Sequence, residues 1–426
     1  MGTLPTQDRI DALDALRGAA VLGILLMNII GFGLPFAYED PTIAGGHTGA
    51  DFAAWLTTSL FFEGTMRGLF TLLFGAGVVL FTSRLEATRP ADAADLHVRR
   101  MLWLVLFGFV NSHLLLWAGD ILFEYGIVGL VLYAFRRTAP HKLVIIAILL
   151  FAALTLRGYV DYHGLETLRD TAAAAHASEA RGLALSEEQA EAIEQWDEQW
   201  ADLRPDEAKV QAEIDAMRGG FASAFGVVTE HVFHFRTGFF YEYGFLEDLA
   251  SMLLGVALFV TGALQGRWTT RQYLLLLLAG YGVGLGVNAL EAMAIVRSGF
   301  DPLVIASSWM ATYELGRVPM TLGHVALFML LWRSGAGAAV LRRLAAAGRM
   351  AFTNYLTQSL ICTLLFTGVG LGLYGSLARH ELYYVVAGIW LLQLAWSPWW
   401  LARFHYGPLE WLWRSLTYGQ WQPMRR

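Results

Sequence analysis

The sequence predicts an all-α, polytopic integral membrane protein of about ten transmembrane helices with an extracytoplasmic helical insert. Three observations carry that prediction. Of 426 residues, 56% are hydrophobic and only 15% charged, against about 25% charged in an ordinary globular domain. The charges cluster between long apolar runs, and mean hydropathy is +0.47. Tryptophan occurs 15 times, as suits a chain that meets two membrane interfaces. A net charge of −6 excludes nucleic-acid binding. Cys362 is the single cysteine, so no intrachain disulfide is available.

A helix crosses the bilayer core with about 17 to 25 apolar residues. Ten stretches approach that: 16–36, 55–83, 101–118, 121–135, 143–160, 246–265, 272–296, 308–332, 351–373 and 382–402. Asp14 and Arg17 crowd the start of the first, and no small-residue cleavage site follows, so it reads as a retained anchor. The second is interrupted at Glu63-Gly64, giving a lead-in helix and then a span over 67–83. The fourth is short. Arginines follow every second span: Arg84, Arg89, Arg99 and Arg100, then Arg136 and Arg137, Arg267 and Arg271, Arg333 to Arg349, and Arg403 to Arg426. The alternate loops carry almost none, Arg297 and Arg379 excepted. The positive-inside rule then places both termini in the cytoplasm of a bacterial inner-membrane, multi-pass protein.

The segment 161–224 falls outside by the same alternation. It is rich in Ala and Glu, with helical patterns near 165–181, 186–203 and 206–218. Ser186 with Gln189 forms a capping-box pattern, and Pro205-Asp206 a helix start. A solvated hairpin is expected, with a lid or acceptor-docking element as the alternative. The organisation reads as a first bundle (1–160), the insert (161–224), a second bundle (225–402) and a cytoplasmic amphipathic segment (403–426).

Ionisable groups inside spans need a partner, a cavity or a function. Asp14 and Arg17 are spaced to pair at i, i+3. Asn28 lies eleven residues beyond Arg17, ~16 Å deeper at ~1.5 Å per residue. His113, in the third span, is expected at a similar depth, close to Asp120. Glu63 and Arg67 sit at i, i+4. Glu291, Glu314, Arg317 and His324 give spans seven and eight a polar lining. His231 and His234 lack a third ligand at a useful spacing, so no metal is expected.

The C-terminal run Gly407-Pro408-Leu409-Glu410-Trp411-Leu412-Trp413-Arg414-Ser415-Leu416-Thr417-Tyr418 resembles the hallmark of the YeiB-like (DUF 418) family of bacterial inner-membrane proteins. The similarity extends to Gly348-Arg349-Met350 with Thr353-Asn354-Tyr355 and Gln358-Ser359, to Gly119-Asp120-Ile121-Leu122, and to Arg9-Ile10 with Leu13 to Gly18. The opening Leu13-Asp14-x-x-Arg17-Gly18, with Asn28 fourteen residues after the aspartate, is also similar to the heparan-alpha-glucosaminide N-acetyltransferase-like transmembrane acyltransferases. In those relatives a histidine soon after the first span is linked to acetyl transfer. His47 is the histidine of that loop here, but its spacing differs, which leaves His113 as the substitute.

The expected function is transfer of an acyl, most simply acetyl, group from a cytoplasmic CoA donor to an extracytoplasmic glycan or other small acceptor. His113 acts as base, oriented by Asp120, and Asn28 donates to the oxyanion. Asp14, Arg17, Glu63, Arg67, Glu314 and Arg317 bind substrates. No cofactor is held tightly; acetyl-CoA or another acyl-CoA enters as donor substrate. The alternative is a transporter or flippase using the same cavity, with Glu63, Glu291 or Glu314 titrating. Expected partners are the lipid bilayer and a small-molecule or glycan substrate, with homodimerisation as an option.

Overall fold

The structure, a computed structural model, describes residues 7–38, 40–43 and 45–426, with the side chains of 7–10 left aside. The Arg9-Ile10 side chains of the opening motif therefore lie outside the described ones. Among the described residues the chain is all-helical, its one β feature an isolated bridge between Phe404 and Arg425. In order, the helices are α1 (Gln7–Gly33), α2 (Gly49–Phe61), α3 (Thr65–Thr88), α4 (Ala93–His113), α5 (Leu122–Leu132) and α6 (Pro140–Glu179). Then come α7 (Glu187–Leu203), α8 (Glu207–Arg218), α9 (Phe221–His234) and α10 (Phe245–Val260), the last two joined by π-helical turns over Phe235–Gly244. The chain closes with α11 (Thr270–Arg297), α12 (Pro302–Met310), α13 (Tyr313–Ser334), α14 (Ala338–Arg349), α15 (Ala351–Phe366), α16 (Leu382–Leu401) and α17 (Pro408–Tyr418).

Among the described residues, six stretches are long and apolar enough to cross a membrane: Asp11–Gly33, Gly49–Thr88, Pro140–Glu179, Phe221–Val260, Thr270–Arg297 and Tyr313–Ser334. The other four expected spans are helical too, as α4, α5, α15 and α16. They are not among the six, and α5 is the short apolar helix that leans on its neighbours.

Both halves of the chain share one core. Helix α1 packs against α14, α15 and α16 from the second half, and α10 packs against α3 and α6 from the first. Glycines set these crossings. A β-carbon on Gly18 would strike the Leu344 carbonyl, and one on Gly348 the Asp14 carbonyl. Gly75 and Gly255 do the same for α3 against α10, meeting Met252 and Leu72 backbone. Small residues at a crossing let helix backbones approach, which is what drives association where lipid is as apolar as the side chains.

Helix α6 runs unbroken for 40 residues, so the first helix of the insert is the continuation of a span rather than a separate element. The alanine-rich stretch after Tyr162 offers no Pro to end it. The Ser186–Gln189 capping box forms as expected, and Asp206 caps α8 by accepting from Lys209 N at 2.7 Å. The insert covers the end of the bundle opposite the arginine-rich loops. Tyr374 donates to Glu213 at 2.5 Å, Arg218 Nε donates to the Tyr374 carbonyl at 2.8 Å, and Lys209 lies 5.7 Å over Phe36.

Candidate functional site

Two interruptions in the helices meet at the insert end. The first separates α2 from α3. The amides of Phe62 and Glu63 both turn back to the Thr58 carbonyl, at 2.8 and 2.9 Å, and Gly64 takes φ +67°. Only glycine adopts that conformation at no steric cost. The second separates α12 from α13 at Ala311-Thr312. A β-carbon on Gly64 would press on the Tyr313 ring and the Arg317 stem, so the two breaks are in direct contact.

Charged side chains gather around this contact. Arg317 holds Glu291 at 2.5 Å and faces Glu63 at 3.7 Å. Arg67 bonds Glu247, faces Asp248 at 3.6 Å, and reaches the Tyr313 hydroxyl at 3.4 Å. Glu291 also accepts from Thr312. A cavity of ≈ 40 Å³ is lined by Glu63, Glu291, Asn288, Arg317, Arg379 and Tyr38. A second, of ≈ 20 Å³, is lined by Glu247, Glu314, Arg317, Ser251 and Thr321. Arg317 forms part of both walls. Glu63, Glu247, Asp248, Glu291 and Glu314 thus face Arg67, Arg317 and Arg379: five carboxylates against three guanidiniums. Charge removed from water without a partner is costly, so this surplus favours protons or a cationic group in the cavity.

The Glu63–Arg67 pair expected from i, i+4 spacing does not form, because Gly64 breaks the helix between them and sends each to a different partner. Glu314 and Arg317 do join the site. Glu247, Asp248 and Arg379, the residues not anticipated, belong to it as well. Their signal was present as two acids at the head of an apolar helix and one arginine in a loop otherwise without bases.

The proposed catalytic set is not assembled. His113 Nδ1 bonds the Phe109 carbonyl at 3.2 Å, and its ring stacks on Phe109 with centroids 5.4 Å apart. Asp120 is committed elsewhere: it accepts from Asn111 at 2.7 Å and from the Leu122 and Phe123 amides at 3.0 Å. Arg236, from the π-helical turns, lies 3.8 Å from Asp120 and bonds Glu124 at 3.2 Å and Ser112 at 2.9 Å. Asp120 thus starts α5 and anchors Arg236 instead of orienting a histidine. Among the described residues, Asn28 makes no hydrogen bond with His113 or Asp120. Helix α1 packs mainly on α14, α15, α16 and α3, whereas α4 packs on α5, α17 and α9.

At the opposite, arginine-rich end, the motifs of both termini converge. Arg17 donates to Asp14 at 2.6 Å, as the spacing predicts. Gly348 lies against the Asp14 backbone. Glu410 turns not to Arg414 but to Thr353, accepting from its amide at 3.0 Å and from its hydroxyl at 2.5 Å. Gly407 leaves the space that the carboxylate occupies. Burial pushes the Glu410 carboxyl above its ordinary range, against the opposing pull of the Thr353 hydrogen bonds. Trp413 donates to the Arg100 carbonyl at 2.9 Å, which docks α17 beneath α4.

The family model described as "Protein of unknown function (DUF418)" matches residues 258–420. Over 99% of its length the chain is 30% identical to the uncharacterized protein YxaH of Bacillus subtilis, covering 97% of that relative. It is 32% identical to the uncharacterized protein YeiB of Escherichia coli, over 95% of each. An uncharacterized 39.9 kDa protein from the amylase 3' region of Bacillus acidopullulyticus is 25% identical, over 100% of this chain and 98% of that relative. No solved structure matches.

Proposed function

The chain belongs to the YeiB-like DUF418 family, and from its cavity we propose that it carries a small, amine-bearing polar solute across the bacterial inner membrane together with protons. The observation that carries this reading is the contact between two interrupted helices at Gly64 and Tyr313, beside Glu63, Glu291 and Arg317. Interrupted helices supply the binding sites of many secondary transporters, and ionisable side chains turned into a bundle mark ion and proton paths. The carboxylate surplus suits an amino group, while Arg317, in the walls of both cavities, suits an acidic group on the same solute. By the positive-inside rule the arginine-rich end is cytoplasmic, with both termini, and the cavity opens in the outer half.

The test is solid-supported-membrane electrophysiology on the reconstituted protein, with a panel of amino acids and polyamines under an imposed pH gradient. At least one solute gives a transient current that follows the gradient and is absent from Glu314→Gln. A silent panel with wild-type protein overturns the reading.

Acyl transfer to an extracytoplasmic glycan is the second reading, favoured by α1. This helix carries the Asp14–Arg17 pair near one end and Met27 in the cavity wall, ~15 Å further along. An acyl-CoA held by its phosphates at Arg17 would extend along α1 toward the cavity, where Glu63 rather than His113 accepts the acceptor's proton. Release of coenzyme A in the presence of a glycan acceptor supports this reading, and its absence removes it.

A further inference from the structure

Helices α1, α4 and α17 bring Arg17, Arg100 and Arg414 together at the arginine-rich end. The charges of Arg17 and Arg414 both bear on Arg100, and Arg349 adds its own beside Asp14. Among the described residues, Arg100, Arg349 and Arg414 have no carboxylate within ion-pair distance; Arg17 alone of the four has one, Asp14. Glu410 has both oxygens occupied by Thr353. Aromatic rings hold two of these guanidiniums instead, those of Arg100 and Arg414. Arg100 lies 3.6 Å over Trp413, and Arg414 sits 5.1 Å from Tyr406 and 5.3 Å from Tyr418. Ring contacts engage the faces of these two guanidiniums rather than their hydrogen-bonding edges. The Arg414 Nε is buried without a partner. The positive-inside rule accounts for arginines near this end, but free arginines would spread into water. Here Arg100 is held between Phe81 and Trp413, and the Arg414 Nε is shut away from solvent.

We infer that Arg17, Arg100 and Arg414 form a binding site for a phosphate group, carried either by an anionic phospholipid or by a soluble nucleotide. A guanidinium stays charged when buried, so repulsion among the three is relieved by an anion and not by loss of a proton. The planar forks match phosphate oxygens two at a time. Basic pockets between helices at the cytoplasmic side take lipid headgroups in the same way. The inference does not rest on transport through the cavity at the other end, and its coenzyme A arm alone coincides with the donor of the acyl-transfer reading.

The test uses the full-length protein in a neutral detergent and follows thermal unfolding. The probes are inorganic phosphate, ADP, coenzyme A, phosphatidylglycerol, and phosphatidylcholine as the zwitterionic control. At least one anionic probe raises the Tm of the wild type beyond the phosphatidylcholine control. Arg100→Gln and Arg414→Gln weaken its binding about tenfold, the loss of a charge-assisted pair. Arg342→Gln, exposed on α14 and outside the cluster, keeps the full shift. Stabilisation by phosphatidylglycerol alone assigns a lipid headgroup; stabilisation by ADP or coenzyme A assigns a soluble phosphate. Arg414→Lys keeps the charge and the fold but loses the fork, so it binds more weakly than the wild type. No shift with any anionic probe, or shifts unchanged in Arg100→Gln and Arg414→Lys, overturns the inference.

Discussion

Gly64 and Tyr313 mark the point where two interrupted helices touch: a β-carbon on Gly64 would lie 2.6 Å from the Tyr313 hydroxyl. Gly64→Ala must therefore strain a backbone at φ +67° and displace the ring that carries Arg67 and Arg317. Left-handed strain at a non-glycine residue costs about 1–3 kcal/mol. The expected outcome is a lowered Tm in detergent together with loss of solute-driven current, while Gly282→Ala, where a β-carbon meets open space, leaves both unchanged.

Arg317 bears on both cavities, and its removal strands Glu63 and Glu291 in a buried wall. Breaking one side of a buried pair costs about 3–5 kcal/mol. Arg317→Gln should unfold at markedly lower denaturant concentration than wild type. Adding Glu291→Gln to it should recover part of the loss, because the stranded charge is then gone. A double-mutant cycle with no coupling between the two positions contradicts the arrangement.

Glu314 lines the smaller cavity and, among the described residues, sits in no ion pair. Glu314→Gln breaks no ion pair among the described residues and is expected to leave the protein folded, with a cooperative thermal unfolding like that of wild type. It should nevertheless abolish proton-dependent current. Retained gradient dependence in this variant would move the proton site to another carboxylate.

Glu410 gives a pH dependence with a definite sign. Its native carboxyl titrates above the ordinary range because burial disfavours the charge. Stability from this group is then complete below the unfolded value of ~4.3 and is lost as pH rises through the native value. Glu410→Gln carries no charge to bury. The Tm of that variant minus the Tm of wild type should become more positive as pH is raised from ~4 to ~7. A difference that stays flat, or falls, contradicts a buried carboxyl held by Thr353.

Local features were legible in the sequence wherever one short segment determined them. The Ser186–Gln189 capping box, the helix start at Asp206, the Asp14–Arg17 pair and the break at Glu63-Gly64 depend on neighbours within a few residues. The site was legible only in part, because its bonds cross the chain. Arg67 had Glu63 four residues away and took Glu247 instead, 180 residues on. Asp120 looked free to orient His113 because nothing local announces that Arg236 arrives on π-helical turns to occupy it. Glu410 passed over Arg414, one helical turn away, for Thr353, since Gly407 opens the path to it. Counting residues along two spans says nothing of which way each side chain faces, and His113 turned to Phe109 and Phe225. His113→Gln is accordingly expected to leave function intact.

The unbroken α6 has a mechanical consequence. At 40 residues it is ~60 Å long at ~1.5 Å per residue, about twice the ~30 Å of the hydrocarbon core. A rod of that length is a lever whose inner arm contacts α10 and whose outer arm carries α7. Tilting within the membrane must swing the hairpin through an arc, and gripping the hairpin must resist the tilt. An antibody fragment clamped on α7 would act as a brake on the bundle without touching the cavity.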